Sequence, residues 1–555
     1  GGAAAPEPQE LRRRAFATLR ALLDKIAGRG PLVVFIDDAQ WGDRDSAPLL
    51  AQLMRPPNVP PLMLLLSYRT DDAARSPLLS SLLGNDGLTG ERHELTVGPL
   101  TDEEAHSLAH RLLVADHTST DAAATIARES RGHPYFIHEL ARHVKEEGLA
   151  EGLSLDAVIA GRVQRLPEPA RRLMEIVAVA GQPISQTLIG HATVVDNQER
   201  VTLINQLRVA ELIRTSGVGD LDTAECYHDR IRELLVSQLA PERLADSHRR
   251  IALAMLDGPE APDPEALALH FHGAGDLRRA FAYATKAADR AAAALAFDRA
   301  ASLYRLALEF ESDADVRRSL NERLGDALRN AGRGMEAAAA YRAAAEGASV
   351  ERRLICQRLA AEQLLYTGHV DEGLKMIENV LANVHMRLAK TPTRAVMSLL
   401  WRRLRLRMRG LGHKARTVDE IPAEEIQLID TCYGVGTSLS LVDTVRGADF
   451  QALNLRLSLQ AGEPYRIARS LALEAGFVSS MGVKMAPRVR RLLDISDSLA
   501  QHIKNPHAIG MVILLSGISA YEAGELRRAR DQCYAAEEVL RTQCSGVAWE
   551  IACGQ

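Results

Sequence analysis

Leu32-Val33-Val34-Phe35-Ile36-Asp37-Asp38-Ala39-Gln40-Trp41-Gly42-Asp43 is the stretch that decides the fold of this chain. An apolar run of strand length that ends in adjacent carboxylates reads as a strand buried on both faces of a parallel sheet. Two like charges at a strand end are costly unless a cation sits beside them. Asp37 suits a Mg²⁺ ligand, directly or through water, because Mg²⁺ prefers an octahedron of oxygens. Asp38 suits a group that orients or polarises an attacking water. The bland reading of the same pair is an acidic turn after a buried strand. The phosphate-binding loop that would complete such a site, of form G-x-x-x-x-G-K-[ST], occurs nowhere in the sequence.

Working outward, Leu62 to Ser67 is a second continuous apolar run, with a helix-like segment, Asp45 to Met54, between the two. This predicts a strand–helix–strand unit with a right-handed crossover. A third short strand is expected at His93 to Val97. Upstream of Leu32 there is one helix-like segment, Leu11 to Ile26. Trp41 is expected to pack between strand end and helix in preference to stacking on a ligand.

From Thr101 the pattern turns helical. Thr101-Asp102-Glu103-Glu104 is a capping box. Gly132 ends one helix, Pro134 opens the next and Gly148 closes it. Leu155 to Ala180 continues as helices broken near Pro167 and Pro169. Short helices at Ser185 to Ala192 and Gln198 to Val209 then precede strands at Leu212 to Thr215 and Ala224 to His228, with a Gly/Asp-rich turn between the strands. Helices followed by a hairpin point to a winged-helix domain.

From about Arg243 onward helices recur with glycine punctuation at Gly275, Gly332, Gly368, Gly462 and Gly524. Helix, Gly turn and a second helix with a small residue near its start resemble tetratricopeptide repeats, though the intervals hold to no single period. An α-solenoid follows. Within it, Trp401-Arg402-Arg403-Leu404-Arg405-Leu406-Arg407-Met408-Arg409 sets Trp401, Leu404, Met408 and Leu411 at 3–4 spacing. That predicts packing by the apolar face and a solvated arginine face, the sharper reading being a surface for an anionic partner. Ala448-Asp449-Phe450-Gln451 looks like a kinase Asp-Phe-Gly only superficially, since no His-Arg-Asp loop accompanies it.

Composition narrows the classes further. The 555 residues suit several domains, and 46% hydrophobic content is ordinary for globular protein. A net charge of −5 supplies no global attraction to nucleic acid or anionic membrane. Six scattered cysteines lack metal-ligand spacing and fit structural thiols in a cytoplasmic setting. No apolar run approaches the ~18 residues of a membrane span. Gln198 to Val209 carries two arginines without a basic cluster, so no direct nucleic-acid binding is expected there.

Five motifs together resemble the signal-transduction ATPases with numerous domains, relatives of AAA-type ATPases, above all the bacterial subgroup linked to Ser/Thr protein kinases. They are Asp37-Asp38-Ala39-Gln40-Trp41-Gly42-Asp43, Leu66-Ser67-Tyr68-Arg69-Thr70-Asp71-Asp72, Gly98-Pro99-Leu100-Thr101-Asp102-Glu103-Glu104, Gly132-His133-Pro134-Tyr135-Phe136, and Tyr227-His228-Asp229-Arg230. They stand in the family's order. The resemblance implies ATP/ADP and Mg²⁺ as ligands, with Asp37 on the metal, Asp38 at the water and Arg69 sensing the γ-phosphate. It implies Pro134 and Tyr135 at the adenine and His228 at the β-phosphate of ADP. The bland readings are a surface ion pair for Arg69, a helix cap for Pro134 and a structural histidine for His228.

The expected fold is mainly α: a partial P-loop α/β ATPase domain (residues 1–100, with Walker B and sensor residues), a helical lid (101–166), a winged-helix-like domain (167–242) and a solenoid of tetratricopeptide-like hairpins (243–555). Only about thirty residues precede Leu32, so the chain is expected to be an internal piece of a longer protein. Its missing phosphate-loop strand would lie between Leu62–Ser67 and His93–Val97. As it stands it is expected to bind ATP poorly. The implied function is an ATP-dependent regulatory switch, with a Ser/Thr kinase domain upstream. Protein partners are expected on the repeats, with self-association in the ATP state and no membrane partner. The alternatives are the ATPase module of a LuxR-type transcription regulator and a non-enzymatic repeat scaffold.

Overall fold

The computed structural model describes residues 8–57, 59–84, 87–88, 90–113, 120–148, 153–217, 222–258, 261–383, 386–440, 442–544 and 547–554. The chain divides into two compact units, residues 1–90 with 288–555, and residues 91–287.

In the first unit, strands β1 (Leu32–Ile36) and β2 (Leu62–Leu66) pair in parallel, Leu32 against Leu62 through Ile36 against Leu66. The helix Ser46–Leu53 forms the crossover between them. The expectation of strands buried on both faces fails. Leu32, Val34, Leu62 and Leu64 are half-buried, whereas Val33, Phe35, Met63 and Leu65 are exposed. The reason is that Ile36 and Leu66 join one core with Leu50, Leu53, Leu78, Leu79 and Leu82, so the helices cover a single face. With side chains alternating along a strand, the other face stays open.

The rest of the first unit is helical. Most successive helices pair as hairpins, and the glycines that punctuate the sequence sit in the turns with left-handed φ: Gly332 (78°), Gly368 (84°), Gly462 (87°) and Gly524 (80°). At Gly332 the following N–H, that of Arg333, closes onto the Leu328 carbonyl at 2.8 Å; at Gly524 the N–H of Glu525 closes onto Ala520 at 2.9 Å. This end-of-helix bond requires positive φ, which glycine adopts without a Cβ penalty. One pair shows the repeat directly. Tyr304 donates to Asp289 at 2.6 Å, and one hairpin later Tyr341 donates to Asp326 at 2.7 Å.

The helix Pro392–Arg409 reverses its sequence reading. Trp401, Leu404 and Met408 are exposed, while Ala395 and Leu406 are buried and Leu411 only borders the core. Arg402 and Arg403 turn inward instead, to Asp449 and Glu474, both at 3.2 Å and both buried. A fixed buried carboxylate recruits an arginine more strongly than bulk apolarity recruits a leucine, because an unpaired buried charge costs several kcal/mol. Asp449 is thus an ion-pair partner, and Phe450 beside it is core.

In the second unit, residues 91–100 form no strand, contrary to expectation, and Leu95 and Val97 are 88% exposed. Among the described residues no strand lies beside them to take up their backbone hydrogen bonds. The helices Asp102–Leu113, Thr120–Ser130 and Pro134–Glu147 share a core built on Ile126, Ile137 and Leu140. The Thr101 capping box forms as expected: Thr101 N–H donates to Glu104 Oε2 at 2.9 Å and Glu104 N–H to Thr101 Oγ1 at 3.3 Å. A second core, on Leu173, Ile189, Leu207 and Ala224, joins the helix Glu168–Ala180 to a three-stranded antiparallel sheet. Its strands are β3 (Ile184–Ser185), β4 (Ile213–Thr215) and β5 (Thr223–Cys226), in the order β3-β5-β4. This is the helices-then-hairpin arrangement of a winged helix. Residues 218–221 of the expected turn lie outside the described residues.

Candidate functional site

The sequence-derived candidates fall into two sets, one in each unit. In the first, β1 and β2 deliver Asp37, Asp38, Ser67 and Arg69 to adjacent strand ends. Parallel register is the cause: Ile36 faces Leu66, so the polar residues that follow each strand emerge side by side. Ser67 Oγ donates to the Asp37 carboxylate and accepts the Asp38 N–H at 3.2 Å. The backbones are tied as well, with Ala39 N–H on the Ser67 carbonyl at 2.8 Å and Ser67 N–H on Ile36 at 3.0 Å.

Asp38 adopts φ 51°, in the left-handed region that non-glycine residues seldom occupy and that concentrates at functional sites. Its carboxylate accepts from Gln40 Nε2 at 2.9 Å, and Gln40 Oε1 in turn accepts the backbone N–H of Arg69 at 3.2 Å. Gln40 is 5% exposed and links the acid pair to the start of the Arg69 turn. Asp37, Asp38 and Arg69 all present exposed side chains around this buried link. The roles of Ser67 and Gln40 are not legible in the sequence; for Ser67 the one signal is a polar residue closing an apolar run.

Trp41 corrects its reading. It is 71% exposed and does not pack between strand and helix. Beside it the buried Leu78 packs on Gly42, where a Cβ would stand 2.1 Å from Leu78 Cδ2. Beyond it, Asp43 caps the helix Ser46–Leu53 at the Ser46 N–H, 2.7 Å away. Asp45 then reaches the solenoid. Its carboxylate accepts the N–H groups of Asp298 (3.2 Å) and Arg299 (2.8 Å), at the start of the helix Phe297–Phe310, and pairs with Arg12 at 3.3 Å. Burial pushes the Asp45 carboxyl above its usual range, against the pull of those amides and of Arg12.

The second set gathers on an aromatic cluster. Gly132 has φ 75°, and a Cβ there would stand 2.2 Å from the Leu100 carbonyl oxygen. This tight approach fixes the chain just before Pro134, which opens the helix Pro134–Glu147 at its first turn. Tyr135 stacks on His228 with ring centroids 5.2 Å apart and planes 1° from parallel, and on Tyr227 at 5.3 Å. His133 and Phe136 meet the same His228 ring edge-on, at 5.3 and 5.2 Å. His228 caps the helix Asp229–Gln238, its Nδ1 accepting the Arg230 N–H at 3.1 Å, which leaves Nε2 as the donor of the neutral ring. The Tyr135 hydroxyl is buried without a hydrogen-bond partner. Such an orphan is uncommon in a folded interior. Burial and the nearby Glu139 raise its pKa, so it stays a donor.

Near it, His138, Glu139 and Glu211 lie close enough to hold a metal. The carboxylates are already taken. Glu139 accepts from Arg142 (2.9 Å) and from Arg162, and Glu211 accepts from Arg142 at 2.9 Å. This cluster is an ion-pair network.

Residues 2–65 match the family model of an AAA ATPase domain. The match spans β1, the acid pair and most of β2. No curated protein matches the chain. Among solved structures it is similar to a signal transduction ATPase with numerous domains carrying a tetratricopeptide repeat sensor, from Pyrococcus horikoshii. That likeness is at 13% identity over 95% of this chain and 70% of that one, with a TM-score of 0.35. It is also similar to the Rap conjugation gene regulator of plasmid pLS20 in complex with the Phr* peptide, at 10% identity over 55% of this chain and 81% of that one, TM-score 0.29. A Rap protein complexed with competence and sporulation factor matches at 11% identity over 55% and 88%, TM-score 0.29.

Proposed function

We propose that this chain is the switch module of a multidomain signalling protein, in which ATP binding and hydrolysis set the state of a helical-repeat sensor. Asp37 would hold Mg²⁺, Asp38 would orient the attacking water and Arg69 would contact the γ-phosphate. By the family resemblance, Pro134 and Tyr135 would contact adenine and His228 a β-phosphate, with Tyr135 and His228 acting as one stacked unit within residues 91–287. The observation that carries this reading is the Asp38–Gln40–Arg69 link. It holds the acid and the arginine turn in one geometry across two strand ends, where α/β folds place their ligands.

A bound Mg²⁺–nucleotide would supply the cation that two adjacent carboxylates call for. The chain's own residues would position the water and read the terminal phosphate. The Asp45 contact to the first turn of Phe297–Phe310 gives the switch an output, since it joins the acid loop to the solenoid within one unit. A partner on the repeats would then shift the switch only by binding its two states with different affinity. The resemblance of the five motifs between Asp37 and Arg230 to the kinase-linked subgroup favours a Ser/Thr protein kinase domain as the effector.

The test uses the natural polypeptide with its phosphate loop. Asp38→Asn should cut ATP hydrolysis by about 10²-fold or more, the range for removing a positioned acid–base group, while Mg·ATP affinity by titration calorimetry changes little. Equal loss of binding and hydrolysis would give Asp38 a structural role instead. Micromolar Mg·ATP binding by residues 1–555 alone would show that no phosphate loop is needed and that the site is wrongly drawn.

A further inference from the structure

The outward face of the helix Pro392–Arg409 carries Met397, Leu400, Trp401, Leu404 and Met408, each between 47% and 72% exposed. At about 100° per residue these five fall within an arc of roughly 100°, the width of a stripe that a globular helix normally turns to its core. The core side of this helix is already occupied by Ala395, Leu406 and the paired Arg402 and Arg403. The stripe is therefore a second apolar face with no cover among the described residues.

Arg394, Arg405 and Arg407 border it, exposed and without a carboxylate partner among the described residues, and Arg405 lies 5.3 Å over the Trp401 ring. No Asp or Glu occurs anywhere from residue 385 to 418. Next to the helix, where Arg403 touches Met481 Sδ at 3.0 Å, a second segment repeats the pattern. Met481 and Val483 are exposed, Lys484 is exposed beside them, and residues 475–493 hold no acid.

We infer that this face docks on an anionic phospholipid bilayer. Exposed apolar side chains mixed with cations that lack a carboxylate partner, and no acid within either segment, complement a surface that is apolar beneath and negative on top; Glu522 and Glu525 flank Val483 from a neighbouring helix hairpin and bound the face on that side. A second copy of the chain is disfavoured, because a two-fold contact would set the same arginines against each other. A single acidic partner helix needs a groove to lie in, whereas this face is a helix crest plus a separate loop, which a fluid surface accepts together. The net charge of −5 obscures the feature, since attraction here is local. Binding would be peripheral: no described helix is long and apolar enough to cross a membrane.

Co-sedimentation of residues 1–555 with vesicles tests this. The protein should pellet with phosphatidylcholine vesicles containing phosphatidylglycerol, not with phosphatidylcholine alone, and added salt should release it. Leu404→Glu with Met408→Glu should abolish pelleting, and Arg405→Gln with Arg407→Gln should weaken it about thirtyfold. Both pairs are exposed, so the melting temperature serves as a folding control. The inference is overturned if anionic vesicles pellet nothing, or if the Leu404/Met408 variant pellets as well as the parent, which would leave charge attraction only. It is equally overturned if that variant converts a parent dimer to monomer in sedimentation velocity without changing vesicle binding.

Discussion

Asp38 and Gly132 show how single residues position the candidate site. Asp38 accepts a left-handed backbone because a short carboxylate can be held locally, here by Gln40. Gly132 has no such latitude: positive φ and the Leu100 carbonyl together exclude any Cβ. Gly132→Ala should lower stability by about 1–3 kcal/mol, read as a fall in the urea midpoint without a change in slope. Gly98→Ala, where a Cβ would meet nothing within 4 Å, should change it little. The candidate residues themselves were legible as residues, because apolar runs ending in Asp37-Asp38 and in Ser67-Tyr68-Arg69 are visible in one dimension. Their connector was not. Gln40 reaches across two strands, and nothing in a linear spacing says which amide its side chain will meet.

Elements were read well where periodicity is local. The strands β1 and β2, the crossover helix, the Thr101 cap and the glycine turns of the repeats follow their sequence patterns closely. Faces were read less well. The exposed sides of β1 and β2 and the inversion of Pro392–Arg409 both depend on which neighbour arrives. In the latter case Asp449 and Glu474 come from other helices and fix the arginines inward. Burial pushes both carboxyls up, and the facing arginines pull against that rise. Removing one strands the other. Arg403→Ala should cost about 3–5 kcal/mol in chemical denaturation, whereas Arg405→Ala on the outer face should cost under about 1 kcal/mol. Similar losses from both would mean that the helix does not hold this rotation.

At the scale of the whole molecule, each unit carries its own test. In residues 91–287, His270 is buried against His248, their Nδ1 atoms 2.9 Å apart. Burial, and then His248, push the His270 pKa down to about 4. Between there and the ordinary value near 6.5 the unfolded chain binds the extra proton. The stability from a neutral His270 is therefore complete above about pH 6.5 and is lost as pH falls toward 4, by at most about 3 kcal/mol. His270→Gln should flatten that part of the pH–stability profile. In the other unit, Asp45→Ala should release the segment carrying β1 and β2 from the helix Phe297–Phe310 and cost about 1–2 kcal/mol, with Asp45→Asn milder because one oxygen acceptor remains. What the sequence alone determined was the inventory: an acid-tipped parallel strand pair, a capped helical lid, a winged-helix pattern and glycine-punctuated hairpins, each set by propensity and period over a few residues. What only the tertiary structure decided was orientation and partnership: which face of a strand is covered, which side of an arginine-rich helix turns inward, and which backbone amides Asp45 satisfies. Burial and charge pairing depend on neighbours far away in the chain, and local sequence carries no record of them.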